Sequence, residues 1–402
     1  MSIIIPADLL PVDGRFGAGP SKVRLPQIEA LGRSASSPMG TSHRQTPVKQ
    51  IVRRIRSGLS ELFSLPDGYE VVLGNGGATA FWAVATACLV ERRAQAVVFG
   101  EFGGKFATEL ARAPFLAPPE IIEAPPGQVA FLSPPSFCAE SQNLGLIDTC
   151  ATVQNETSTG AAVPIKRVSA VERPGEPSPG DEAKGTEGPP LMLVDATSAA
   201  GALPIDIGQT DVYYFSPQKA FASDGGLWVA IASPAAIERA ARIERDLPAI
   251  PGTTRWIPEF LSFTTALENS RQDQTLNTPA IATLIMFAEQ VDWLLTNGGL
   301  PWAVGRSAES AKTLYHWADS RDWATPFVTD PAYRSNVVGT IDLADSIDAA
   351  EVVKQLRANG IYDVFPYRKL GRNQLRVAMF PAIDPSDVAA LTRSIDYVVE
   401  NL

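Results

Sequence analysis

Short runs of β-branched, aliphatic and aromatic residues alternate with longer helical stretches along this chain. Residues 70–74 (EVVLG), 96–100 (AVVFG), 191–195 (LMLVD), 212–215 (VYYF) and 226–231 (GLWVAI) are almost continuously apolar. Strands of that composition are buried on both faces, as in a parallel sheet covered by helices. Residues 78–91 (ATAFWAVATACLVE) follow a glycine turn and read as a helix. This alternation predicts an α/β fold with a mainly parallel sheet.

The last hundred residues have a different rhythm. Residues 336–343 (NVVGTIDL) and 375–380 (LRVAMF) suit strands, and 348–359 suit a helix stopped by Asn359-Gly360. A final helix follows Asp384-Pro385, with Val388, Leu391, Ile395, Val398 and Leu402 spaced three or four apart on one stripe. This region reads as a separate, smaller α+β unit. Two stretches break the pattern. Residues 171–190 are rich in Pro, Gly and charge and have almost nothing to bury, so they read as a mobile surface insertion. Residues 114–136 are Pro-rich and read as an irregular connection. No internal repeat or heptad run is present.

Composition narrows the function classes. With 402 residues the chain has room for two or three domains, or for one large domain and a smaller companion. Its 34 basic and 44 acidic side chains leave a net charge of −10. An acidic chain has no general attraction for nucleic acid or anionic membrane. Cys88, Cys138 and Cys150 are odd in number and show no CxxC spacing, which argues against a disulfide framework and a structural zinc site. No metal site is expected. The N-terminus lacks the basic start of a signal peptide, and no uncharged apolar run is long enough to span a membrane. A cytoplasmic location is the expectation.

Three features carry candidate chemistry. Gly74-Asn75-Gly76-Gly77-Ala78-Thr79 follows a strand and opens a helix, the arrangement in which backbone N–H groups and the helix dipole can hold a phosphate. An ordinary tight turn would look the same, and the Lys-Ser/Thr of a nucleotide P-loop is missing. Asp195 ends an apolar strand, where it could be a ligand group or merely a helix cap. Lys219 lies just beyond the strand 212–215, although lysines usually belong to a solvated face. A lysine desolvated there has a lowered pKa and suits Schiff-base chemistry. Together the three match the needs of a pyridoxal 5′-phosphate (PLP) site: a phosphate cradle, an acid beside the pyridine nitrogen, and a lysine for the aldehyde.

The order Gly76-Gly77-Ala78-Thr79, Asn155-Glu156-Thr157, Asp195-Ala196-Thr197-Ser198, Gln218-Lys219 resembles fold-type I PLP enzymes of the class V aminotransferase group. More narrowly, the chain resembles the phosphoserine aminotransferase family through Phe16–Lys22, Gly40-Thr41-Ser42-His43-Arg44, Ser223–Trp228 and Asn277-Thr278-Pro279. The resemblance runs from about residue 14 to the C-terminus, with 171–190 as an extra insertion.

The resemblance implies a large PLP-binding domain over 15–289 and a small α+β domain built from 1–14 and 290–402. It implies that Lys219 carries the cofactor and shuttles a proton, and that Asp195 pairs with the pyridine nitrogen. Thr157 would meet the phenolic oxygen, and Ala78, Thr79 and Gln218 the phosphate. Phe102 stands where the family commonly stacks an aromatic ring. Asn277 and Thr278 would reach the phosphate from a second subunit, which implies a homodimer. Arg376 would clamp the substrate α-carboxylate, and His43 and Arg44 its distal phosphate or γ-carboxylate. The implied reaction is ping-pong amino transfer from L-glutamate to 3-phosphohydroxypyruvate, giving O-phospho-L-serine and 2-oxoglutarate in serine biosynthesis. Some relatives also serve pyridoxine biosynthesis.

The chain departs from that pattern in two respects. A His-Arg pair common before the carboxylate arginine is absent, and Arg368, Lys369 or Arg372 could take its place. Ala220 stands where a polar residue is expected after the lysine. Three other readings compete. A cysteine desulfurase needs a nucleophilic cysteine in the C-terminal part, and none follows Cys150. A serine/alanine-glyoxylate class V aminotransferase is the nearer alternative, but it has no use for His43-Arg44 as an anion clamp. A non-catalytic phosphate-binding module leaves Asp195, Lys219 and Arg376 unexplained.

Overall fold

The computed structural model describes residues 3–134, 147–168, 189–246 and 255–402. Most of the 171–190 insertion and Cys138 lie outside these residues. The chain begins with helices α1 (Leu25–Arg33) and α2 (Thr46–Leu62). Next come β1 (Glu70–Asn75), α3 (Ala78–Cys88), β2 (Ala94–Val98), α4 (Glu101–Arg112), β3 (Glu120–Glu123) and β4 (Thr149–Val153). A short hairpin, β5 (Asn155–Glu156) and β6 (Ala161–Ala162), precedes β7 (Leu191–Asp195), β8 (Val212–Phe215) and β9 (Leu227–Ala232). Helices α5 (Pro234–Asp246), α6 (Phe263–Arg271), α7 (Ile281–Thr296) and α8 (Gly299–Asp319) follow. The chain ends with β10 (Ala324–Pro326), β11 (Val338–Leu343), α9 (Ala349–Ala358), β12 (Gln374–Ala378) and α10 (Pro385–Glu400).

Among the described residues, seven strands form one sheet in the order β1-β9-β8-β7-β4-β2-β3. The neighbours from β8 to β3 are parallel, and only β9 runs against its two neighbours. The expected mainly parallel sheet is therefore present. Alternate residues of each strand feed two different cores. Met192, Val194, Tyr213 and Phe215 pack on one face, and Leu191, Leu193, Val212 and Tyr214 on the other. That double burial is why these segments are apolar throughout rather than alternating.

The Pro-rich stretch 114–136 requires a correction. It contains β3, which pairs in parallel with β2 from Gln95↔Glu120 to Val98↔Glu123. As an edge strand it pairs on one side only, so half-exposed Glu120 and exposed Glu123 at its ends are tolerated and its pattern is weak. The central strand β4 also lacked an apolar signature, because Thr149 and Thr152 interrupt it.

The C-terminal elements follow the expected pattern. β10, β11 and β12 form an antiparallel sheet. The side chain of Asp348 accepts the Ala350 amide to cap α9, and that of Asp384 accepts the Ser386 amide to cap α10. The N-terminal segment is stitched to this sheet. Tyr362 N donates to Gly14 O at 2.7 Å, and Ala378 N to Phe16 O at 3.1 Å. That docking carries residues 17–21 across the carboxyl ends of the parallel strands.

Candidate active site

The loops after β1, β4, β7 and β8 all leave the same edge of the sheet, because β1 and β8 share a direction through antiparallel β9. Ligands in open α/β sheets bind at that edge. A cavity of about 500 Å³ opens there, lined by Ala78, Thr79, Phe102, Thr157, Asp195, Gln218 and Lys219, among others. Residues separated by 141 positions in the sequence thus face one space.

The cradle forms because β1 turns into α3 through two glycines, Gly76 (φ 122°) and Gly77 (φ 96°). Side-chain-bearing residues rarely adopt these angles. Gly77 is the N-cap of α3, so the amides of Ala78 and Thr79 belong to the first turn and have no intrahelical acceptor. Around the same cavity, Asn155 Oδ1 and Gln218 Oε1 are buried without a hydrogen-bond partner. Buried polar atoms seldom go unpaired, so these open acceptors fit a polar ligand that donates hydrogen bonds, and the free amides of α3 fit its phosphate.

Asp195 is 4% exposed at the end of β7. Its Oδ1 accepts the Thr197 amide at 2.9 Å, and its Oδ2 accepts the Trp82 indole N–H at 3.1 Å. Burial pushes its pKa up, and these donors pull it back. Lys219 is 8% exposed, and its Nζ donates to the Ala18 carbonyl. Burial, then the Arg376 charge, brings its pKa from 10.5 down to about 7; Asp195 and Glu156 resist the fall. An amine so placed is substantially neutral near physiological pH and can act as a base or nucleophile.

Arg376 sits on β12, buried, with Nη1 donating to Thr157 O at 3.4 Å and Nε without a partner. Its guanidinium lies 5.4 Å from the centre of the Tyr367 ring, which in turn meets Phe102 at 6.0 Å. Phe102 is fixed by the first turn of α4. There Glu156, fully buried, accepts the Phe102 and Gly103 amides at 3.0 and 3.1 Å, while Ser158 occupies its other oxygen. A carboxylate at a helix N-terminus complements the dipole.

His43, Arg44, Asn277 and Thr278 do not line this cavity. They form a second cluster, in which Thr278 Oγ1 lies 3.2 Å from His43 Nδ1 and Arg44 bonds Gln274 Oε1 (2.6 Å) and Leu276 O (3.2 Å). Asn75, immediately before the glycine turn, donates to Asn277 O at 3.2 Å and joins the cluster to the cradle. Of the three candidate cations near Arg376, Lys369 pairs with Glu101 and Arg372 with Asp342. Arg368 is exposed and, among the described residues, has no ion pair.

Comparison with known proteins decides the family. The Aminotransferase class-V model matches residues 182–362. A Mycobacterium avium (strain 104) protein, provisionally named a phosphoserine aminotransferase, is 56% identical over 398 residues, covering 99% of this chain and 98% of its own. A Rhodococcus opacus (strain B4) protein named phosphoserine aminotransferase is 53% identical over 400 residues, covering 99% and 98%. The chain belongs to the phosphoserine aminotransferase family. The crystal structure of a phosphoserine aminotransferase from Cytophaga hutchinsonii superposes with a TM-score of 0.80 at 20% identity, covering 96% of this chain and 99% of that one. The fold is that of the fold-type I PLP-dependent aminotransferases.

Three site residues had no signal in sequence. Trp82, the side-chain donor to Asp195, looked like one more apolar residue of a buried helix. Tyr367, between Phe102 and Arg376, stood in a segment read only for its cations. Ser198, which accepts from Asn155 Nδ2 at 2.7 Å and Thr157 Oγ1 at 2.8 Å, appeared only within a quoted motif.

Proposed function

We propose that the protein catalyses reversible amino transfer from L-glutamate to 3-phosphohydroxypyruvate, giving O-phospho-L-serine and 2-oxoglutarate, with PLP as cofactor. The observation that carries this reading is the meeting of Lys219, buried Asp195 and the open first turn of α3 around one cavity. The place of the reaction is serine biosynthesis in the cytoplasm.

Each residue then has a task. Ala78 and Thr79 hold the cofactor phosphate with their amides, and Gln218 adds its side chain. Asp195 holds the proton of the pyridine nitrogen, Thr157 the phenolic oxygen, and Phe102 offers an aromatic face. When bound, PLP supplies an electron-withdrawing ring that weakens the bonds at the substrate α-carbon. Lys219 Nζ, neutral for part of the time near pH 7, would serve as the base that carries the proton between the substrate α-carbon and the cofactor carbon that exchanges the amino group with it. Arg376 grips the α-carboxylate through its planar fork, with Nε still free to donate.

The protein acts as a homodimer in this reading. Asn277 and Thr278 complete the cradle of the other subunit, and His43 and Arg44 bind the distal anionic group there. Support comes from their position outside the cavity of their own chain and from the unpartnered, buried His43 Nε2. The division into 15–289 and 1–14 with 290–402 belongs to the same proposal, supported by the stitching of Gly14 and Phe16 to Tyr362 and Ala378.

The test is an absorbance spectrum of the purified protein with PLP. A near-violet band that is lost on adding O-phospho-L-serine or L-glutamate, and persists with serine or alanine, is expected. A band that responds to alanine or serine instead would transfer the chain to the serine/alanine-glyoxylate type. No band at saturating PLP would remove the cofactor assignment.

A further inference from the structure

Asp195 carries the negative charge at the closed end of the cavity, yet burial works against its ionisation. Something must hold the carboxylate ionised and oriented before a cation donor arrives. The backbone supplies one donor, Thr197 N to Oδ1. The second comes from 113 residues earlier in the chain, the indole N–H of Trp82 to Oδ2. The Thr197 and Tyr214 hydroxyls also favour the ionised carboxylate, but the indole N–H is the side-chain donor that stands at hydrogen-bond distance from Oδ2.

We propose that Trp82 is a positioning residue for the amino-transfer reaction, holding Asp195 as an aimed carboxylate through its indole N–H. The inference rests on the PLP reading above. Trp82 lies four residues after Ala78, so it stands one turn further along the same face of α3. One helix therefore addresses both ends of the cavity: its N-terminus faces the phosphate cradle and its second turn faces the carboxylate. The indole is 5% exposed and stacks on Phe106 at 6.4 Å with a 21° interplanar angle, which fixes the direction of its N–H. An ionised carboxylate offers about four acceptor sites. The Trp82 indole and the Thr197 amide each take a site on a different oxygen, so both oxygens are held in place while the carboxylate keeps capacity for the pyridine N–H. Phenylalanine at position 82 would fill most of the volume and remove the indole donor from Oδ2.

The test is a double-mutant cycle read by PLP affinity of the apoprotein, measured by equilibrium dialysis, in the wild type, Trp82→Phe, Asp195→Asn and the double variant. Trp82→Phe is expected to weaken PLP binding about tenfold or more, the worth of one hydrogen bond to a charged group. In the Asp195→Asn background the same change is expected to cost less than about twofold. Equal losses in both backgrounds would reduce Trp82 to packing and overturn the proposal, as would undiminished binding by Trp82→Phe. A wild-type protein that bound no PLP would instead overturn the cofactor reading on which the proposal stands. As a second readout independent of that variant's folding, indole N–H resonances of tryptophan-labelled apoprotein are compared with and without Asp195→Asn. Loss of the charge should move one buried indole upfield, and no movement would contradict the proposed bond.

Discussion

Replacing Lys219 by Met removes the amine while keeping an unbranched chain in its place. In the apoprotein this change is expected to be stabilising at neutral pH. Lys219 has its pKa drawn from 10.5 to about 7, first by burial and then by the Arg376 charge. The folded state thus binds this proton less readily than the unfolded chain. Between pH about 7 and 10.5 the unfolded chain holds more protons, so wild-type stability rises with pH across that window. Below it the cost is fully present; above it the cost is gone. The fall from 10.5 to about 7, at ~1.4 kcal/mol per pH unit, sets a ceiling of ~5 kcal/mol. Against this, Met leaves the Ala18 carbonyl without its donor, which costs ~1–3 kcal/mol at any pH. The variant should therefore be more stable than wild type by ~2–4 kcal/mol near pH 6, with the advantage shrinking as pH rises towards 10. Urea unfolding of both apoproteins, at one protomer concentration and a series of pH values, measures the difference. A stability difference that stays flat from pH 6 to 10 would refute the assignment of a depressed lysine pKa. Turnover of the variant should be lost at every pH.

Other perturbations follow from the same contacts. Gly19→Ala would press a Cβ against Lys219 Nζ at a φ of 153°, so the lysine must move and the backbone is strained; PLP uptake and turnover should fall by more than tenfold, and stability by ~1–3 kcal/mol in thermal unfolding. Arg376→Lys keeps the charge but loses the planar fork, and the KM for both amino-acid substrates should rise roughly ten- to hundredfold in steady-state kinetics. Glu156→Gln replaces an acceptor of the Phe102, Gly103 and Ser158 donors with a half-amide, and thermal unfolding should show a loss of ~1–3 kcal/mol. Co-expressed dimers of one Lys219→Ala subunit and one Arg44→Ala subunit should recover part of the activity that each homodimer lacks; none recovered would place Arg44 in its own chain's site.

The elements that were plain in the sequence are those whose environment is uniform along their length. β7 and β8 fall at their predicted bounds because both faces of each are buried, so no polar residue breaks the run. The helix after the glycine turn begins at Ala78 as expected, since Gly76 and Gly77 need angles that other residues avoid. β4 was invisible because its position in mid-sheet, not its composition, makes it a strand. Thr149 satisfies its hydroxyl on Asp148 at 2.7 Å and so can be buried.

The residue types at Asp195, Lys219 and Arg376 and their order were set by the sequence itself, and so was the family. Their working state was decided only by tertiary structure. Burial and the proximity of Arg376, from a strand 157 positions later, make Lys219 a weak base, and no local pattern encodes that distance. The Trp82 donor, the Glu156 brace beneath Phe102 and the separation of His43 and Arg44 from the cavity arise in the same way. Hydrogen bonds and desolvation act through space at a few ångströms, whereas a sequence records only what is adjacent along the chain.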